Sequence, residues 1–236
     1  MAVNALQCSE EVARSVGVLV SADTQVLCEG LRGAGWEWKN IKAIQSLDRL
    51  LCIDCQSHEE CLGVVDAISP LSKTADIPWC QVILEQDAAS ENLHDIGVQS
   101  QLLGVASKAA CAHSFHVQPN IRILAQKANG SGKKPSWRKL SKLRADGTLS
   151  ICAYFRNAYR TSLGRCVCDL LRITHASPPL TLYELRLQMF PNQLAVLIRS
   201  EASFQSDSEC VLLALAAPTT VKFDNASDVD SSEQCR

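Results

Sequence analysis

Cys52, Cys55, His58 and Cys61 are the residues of this 236-residue chain whose types and spacing come nearest to chemistry. Four soft or imidazole donors at short intervals resemble the ligand set of a zinc or iron–sulfur centre. Two features oppose that use. On one strand, Cys52 and Cys55 stand an odd three residues apart and point to opposite faces of a sheet, and Cys55 and Cys61 fall where core residues are wanted. No metal and no other cofactor is therefore expected. Cys111, His113 and His116 would need a further ligand from elsewhere. His58, His94, His113, His116 and His175 stand in no recognisable triad, and Glu10-Glu11 and Glu59-Glu60 read as helix-start charges. With no phosphate loop, dinucleotide fingerprint or nucleophile elbow, the chain is expected not to be an enzyme.

The stronger signal is charge. Residues 122–144 carry eight Lys/Arg and no acid, against 7 Lys/Arg and 15 Asp/Glu in 1–121 and 8 against 10 in 145–236. Lys133, Lys134, Arg138, Lys139, Lys142 and Arg144 could neutralise phosphates, and Trp137 between them could stack on an unpaired base. The Gly/Ser/Pro break in this stretch reads as a linker or basic arm, 122–147, between two folded parts.

Twelve cysteines scattered through apolar segments do not form a disulfide framework. They read as buried free thiols of a reducing compartment, cytosol or nucleus. Acids within the first dozen residues argue against a leader peptide, and no run approaches the ~20 apolar residues of a membrane-spanning helix.

The elements needed to position these residues read as β-α-β-β-α-β, twice. In the first unit, 14–86, strands are expected at Val16–Val20, at Trp36 onward, over Leu50–Cys55 and from Trp79. Helices are expected through Val26, Leu27, Leu31 and Ala34, and through Cys61, Leu62, Val64, Val65 and Ile68. In the second unit, 148–224, strands are expected over Leu149–Phe155, Tyr183–Met189, Gln193–Arg199 and Thr219–Phe223. Its helices run through Leu163, Cys166, Val167, Leu170 and Leu171, and through Cys210, Val211 and Leu213 to Leu215. Residues 87–121 read as an added helical or irregular segment, including a helix over 101–111, and 225–236 as a disordered tail. The fold class is α+β: two tandem ferredoxin-like sandwiches joined by a basic linker.

The stretch DRLLCIDCQSHEECLGVV, with Leu51, Ile53 and Cys55 as core positions, resembles the third strand and second helix of the RNA-recognition-motif superfamily. The resemblance implies single-stranded RNA as partner, bound on a sheet face. The stacking positions of the first unit are Leu50 and Cys52, so that face, with Leu19, is expected instead to receive a protein partner or a second copy. In the second unit Tyr154, with Arg156 and Arg199, could hold a base or phosphate. The expected function is a non-enzymatic RNA-binding or ribonucleoprotein-assembly protein, the alternative a protein-interaction scaffold without nucleic acid.

Overall fold

β-Branched and leucine-rich segments divided by Gly, Pro, Asp and Asn fold here into one antiparallel strand system. The computed structural model describes residues 17–30, 35–71, 76–86, 111–128, 134–157, 163–188, 193–199 and 209–218. Among them there is no α-helix, only two single-turn 3-10 segments, Ile41–Ala43 and Leu140–Lys142. No helix of the described residues is long and apolar enough to cross a membrane.

Six strands open the chain: β1 Val18–Ser21, β2 Gln25–Glu29, β3 Trp36–Asn40, β4 Arg49–Asp54, β5 Glu60–Leu71 and β6 Trp79–Gln86. Six more follow: β7 Cys111–Val117, β8 Arg122–Lys127, β9 Ser136–Lys139, β10 Leu149–Asn157, β11 Gly164–Ala176 and β12 Leu182–Leu187. Two complete the set, β13 Leu194–Arg199 and β14 Glu209–Ala216.

The second six repeat the pairings of the first. β2 pairs β3 with Leu27 opposite Trp38, and β8 pairs β9 with Leu124 opposite Trp137. Ile41 N then donates to the Thr24 carbonyl and Leu140 N to the Ile121 carbonyl, both at 2.9 Å. β4 pairs β5 as β10 pairs β11. The last strand of each set is exchanged: β12 lies on β5, and β6 lies on β11. β1 and β7 add to the exchanged strands, β13 and β14 join the two sets, and β1 comes to lie alongside β7.

Two apolar clusters lie on opposite faces of this system. The larger gathers Val26, Leu50, Cys52, Val65, Val82, Phe115, Ile123, Ile151, Cys168, Val196 and Leu213, among others. The smaller, on the other face of β13 and β14, holds Leu27, Leu51, Ile53, Tyr154, Leu197 and Leu212, with Trp36, Trp38, Trp137, Cys55 and Leu163 at its margin. Odd residues of β14 (Val211, Leu213, Leu215) enter the first cluster and even ones (Leu212, Ala214, Ala216) the second.

The α+β ferredoxin-like expectation is thus overturned, and the resemblance to RNA-recognition motifs with it. The segments expected to form helices around Val26, Cys61, Cys166 and Leu213 are β2, β5, β11 and β14. In β11 the buried residues are Cys166, Cys168 and Leu170, a period of two. In β14 every described side chain is buried, so no period survives to separate strand from helix. Units 14–86 and 148–224 exchange strands, and 122–147 contains β8 and β9. The helix expected over 101–111 and the strand from Thr219 fall outside the described residues, apart from Cys111 at the start of β7.

Close approaches fix individual positions. A Cβ on Gly164 would sit 2.1 Å from Cζ of Phe155, its cross-strand neighbour. Gly164→Ala should therefore lower stability by about 1–3 kcal/mol in urea unfolding, while Gly147→Ala, with nothing within 4 Å but φ at +73°, should cost about 1 kcal/mol.

His113 gives a pH dependence. Burial holds its imidazole below the ordinary value of 6.5, and its Nε2 has no hydrogen-bond partner among the described residues. The unfolded chain takes up this proton more readily than the folded one. Stability present above pH ~6.5 should be lost as the pH falls through the folded value. Urea midpoints from pH 7.5 to 5 should fall less steeply for His113→Phe than for the parent.

Candidate functional site

The turn from β4 to β5 brings Cys55 and His58 to one end of the smaller cluster, with Cys61 following at the start of β5. Asp54 closes β4 and folds the turn: its carboxylate accepts from the amides of Gln56 (2.7 Å) and Ser57 (2.8 Å), and its carbonyl from His58 N (2.9 Å). His58 is thereby held at φ +62°, a left-handed conformation that costs a non-glycine residue about 1–2 kcal/mol. Arg165, reaching across from β11, donates from Nη2 to the His58 carbonyl at 2.7 Å. The imidazole meets the Trp137 ring edge-on at 6.1 Å. Burial first, and the Arg165 charge second, hold His58 below its ordinary pKa, so the imidazole is neutral at neutral pH.

Cys55 is pinned through its backbone. Its amide donates to the Gln193 carbonyl at 2.9 Å, and its carbonyl accepts from Trp137 Nε1 at 2.8 Å. The Gln193 side-chain amide in turn donates to the carbonyl of Ala217, just beyond β14. Arg122, opposite Ala216 in the β8–β14 ladder, places its charge near Cys55. Burial nevertheless pushes the Cys55 thiol up to about 12, with Asp54 adding to the rise, and Cys61 up to about 11. Both are protonated thiols at neutral pH, poor nucleophiles without a base.

Tyr154 lies under this corner. Its hydroxyl is buried and reaches no partner at hydrogen-bonding geometry among the described residues, while the Arg165 guanidinium stands 6.0 Å from its ring. Burial pushes the phenol up to about 12 even though the Arg165 charge opposes the rise. Glu60 completes the edge by accepting from Leu163 N at 2.8 Å.

The expected site residues are dispersed. Leu50 and Cys52 are fully buried in the larger cluster, so no open apolar sheet face exists there. Leu19 is half-buried opposite Glu184. Tyr154 is 3% exposed and offers no stacking platform, and Arg199, also buried, stacks on Trp38 at 5.0 Å. Trp137 covers the smaller cluster with its N–H committed to Cys55. Lys134, Arg138, Lys139, Lys142 and Arg144 are exposed; Lys133 and the Arg156 side chain lie outside the described residues. Cys52 and Cys55 enter opposite clusters, and no group of three His, Cys, Asp or Glu among the described residues could hold a metal. His113 and His116, an odd step apart on β7, face opposite ways. Sequence reasoning missed Gln193 and Arg165 and read Glu60 as a helix-start charge, because their contacts join segments far apart in the chain.

Neither a known protein-family profile nor a curated protein matches the chain. Among solved structures it is similar to an intein from a hyperthermophile, with 10% identity, 84% of this chain and 99% of that one covered, and a TM-score of 0.49. A splice-inactive variant of the AceL NrdHF class 3 split intein aligns at 10% identity over 87% and 99% of the chains, with a TM-score of 0.46. A bacterial intein-like domain from Clostridium thermocellum aligns at 10% identity over 84% and 98%, with a TM-score of 0.40. These are inteins and an intein-like domain, not RNA-recognition motifs. With the sandwiches absent and their binding faces buried, the expectation of a non-enzymatic RNA-binding protein or scaffold is withdrawn.

The coupling between Arg165 and His58 can be read directly. Arg165→Gln removes a cation that disfavours the imidazolium, so the His58 pKa should rise toward its ordinary value in an NMR titration, while that of His113 stays in place.

Proposed function

We propose that this chain is a splicing-type domain, one that cleaves peptide bonds at its own flanks and rejoins the segments beyond. The observation that carries the reading is that the first and last described strands, β1 and β14, each lie on one of the two neighbouring strands β7 and β8. β1 lies alongside β7, the end of β14 pairs β8 at Arg122, and β7 and β8 are joined by the short turn 118–121. A reaction that removes a domain and joins its flanks needs both junctions in one place, since proximity supplies much of the barrier reduction. Splicing is also the activity named for the inactive split-intein variant.

The corner offers parts suited to such chemistry. The Gln193 amide donates to the Ala217 carbonyl, the kind of contact that polarises a peptide carbonyl and stabilises the oxyanion formed when it is attacked. Neutral His58 can accept a proton, and Arg165 and Arg122 supply positive charge. Because burial keeps Cys55 and Cys61 protonated, the reading places the attacking hydroxyl or thiol on the processed segment. Its oxygen or sulfur bonds to the carbonyl carbon, the C–N bond breaks, and the leaving amine takes the nucleophile's proton.

The test is the whole chain placed between two folded reporter proteins and followed by gel and intact mass. Joined reporters or a singly cleaved product are expected, with Gln193→Ala slowing their appearance about 100-fold. A fusion that stays intact over days at neutral pH, with and without added thiol, overturns the proposal.

A further inference from the structure

The two repeats end in equivalent outer strands, β3 and β9, and their charges are built in opposite ways. Each pairs, among the described residues, with one strand only, β3 with β2 and β9 with β8, and so leaves a row of backbone amides and carbonyls on its other side. On the first edge the charges are in balance. Lys39 pairs with Asp48 at 3.1 Å, Arg49 pairs with Glu29 at 2.8 Å, and the exposed Glu37 and Lys42 balance one another in charge.

Aligning Leu27–Trp38 with Leu124–Trp137 shows what the second edge has lost. Glu29 corresponds to Gln126 and Glu37 to Ser136, while Asp48, just after the left-handed Leu47, corresponds to Thr148 after the left-handed Gly147. Every acid of the first edge has a neutral counterpart. Lys39 is matched by Arg138, Lys42 by the neutral Ser141, and the neutral Asn40, Ala43 and Gln45 by Lys139, Lys142 and Arg144. All four cations, with Lys134, are exposed and form no ion pair among the described residues. The nearest acid in sequence, Asp146, is engaged by the Thr148 amide at 3.0 Å and hydroxyl at 2.6 Å. Keeping an edge from pairing with other chains does not require this surplus, since the β3 edge carries its charges in balance.

We propose that β9 is a docking edge for an extended acidic peptide, which adds to it as a further antiparallel or parallel strand and sets its carboxylates against Arg138, Lys139, Lys142 and Arg144. Backbone pairing supplies the geometry and the cations choose the partner. The surface lies on the strand next to β8 and is independent of the splicing-type reading.

The experiment uses the full chain and fluorescein-labelled peptides of about eight residues, alternating Glu and Val, in an anisotropy titration. Three comparisons accompany it: the same peptide with alternate amides N-methylated, a Lys–Val peptide, and a single-stranded RNA of similar charge. Binding of the Glu–Val peptide alone is expected, weakening about tenfold between 50 and 200 mM salt. The double variant Arg138→Glu, Lys139→Glu, which changes two exposed side chains and should leave tryptophan emission unchanged, should bind at least about tenfold more weakly. Slower amide exchange over residues 136–139 in the complex would support strand addition. Equal binding of the N-methylated peptide, equal or tighter binding of RNA, or no binding of the Glu–Val peptide would overturn the proposal.

Discussion

The structure depends on two strands that have no solvent face. β13 and β14 run side by side through the middle of the strand system and send alternate residues into two separate apolar clusters. Burial of apolar side chains on both sides, at about 25 cal/mol per Å², ties the two repeats to each other. Remove this double-sided contact and the β2/β4 and β8/β10 sets lose their common partner.

From that constraint follows the placement of the corner at the β4–β5 turn. β13 brings Gln193 to the β4–β5 turn, and β14 delivers Ala217 to Gln193 and Ala216 to Arg122. The strain at His58 is tolerated because Asp54, Arg165 and Trp137 fix its surroundings from three different elements. Burial makes the same corner poor in activated thiols. What it offers instead are hydrogen-bond donors, cations and a neutral imidazole.

Much of the strand content was legible in the sequence, and the helices were not there to be read. Val18–Val20, Leu50–Ile53, Trp79–Leu84 and Leu194–Arg199 were expected as strands and are strands. The failures have one cause. Cys61–Ile68, Cys166–Leu171 and Val211–Leu215 contain apolar residues at three- and four-residue intervals because sheets buried on one face, the other, or both supply extra apolar positions between the alternating ones. The observed repeat, β1–β6 against β7–β12, is not the pair of α+β units the sequence suggested, and the exchange of β6 and β12 leaves no mark in a single sequence. The opposite facing of Cys52 and Cys55 could be foreseen from their odd spacing. The partnership of Cys55 with Trp137, 82 residues away, could not.

The strand exchange also sets a timetable. β1 cannot complete a ladder until β12 exists, about 160 residues later in the chain. At a synthesis rate of about 5–20 residues per second, that is a wait of about 10–30 s during which β1 and β5 hold unpaired edges. Closing loops of that length before any of their contacts form makes for slow folding. The short length of β1, four residues, is then a safeguard as well as a structural detail, since a longer unpaired apolar edge would be free to find the wrong neighbour first.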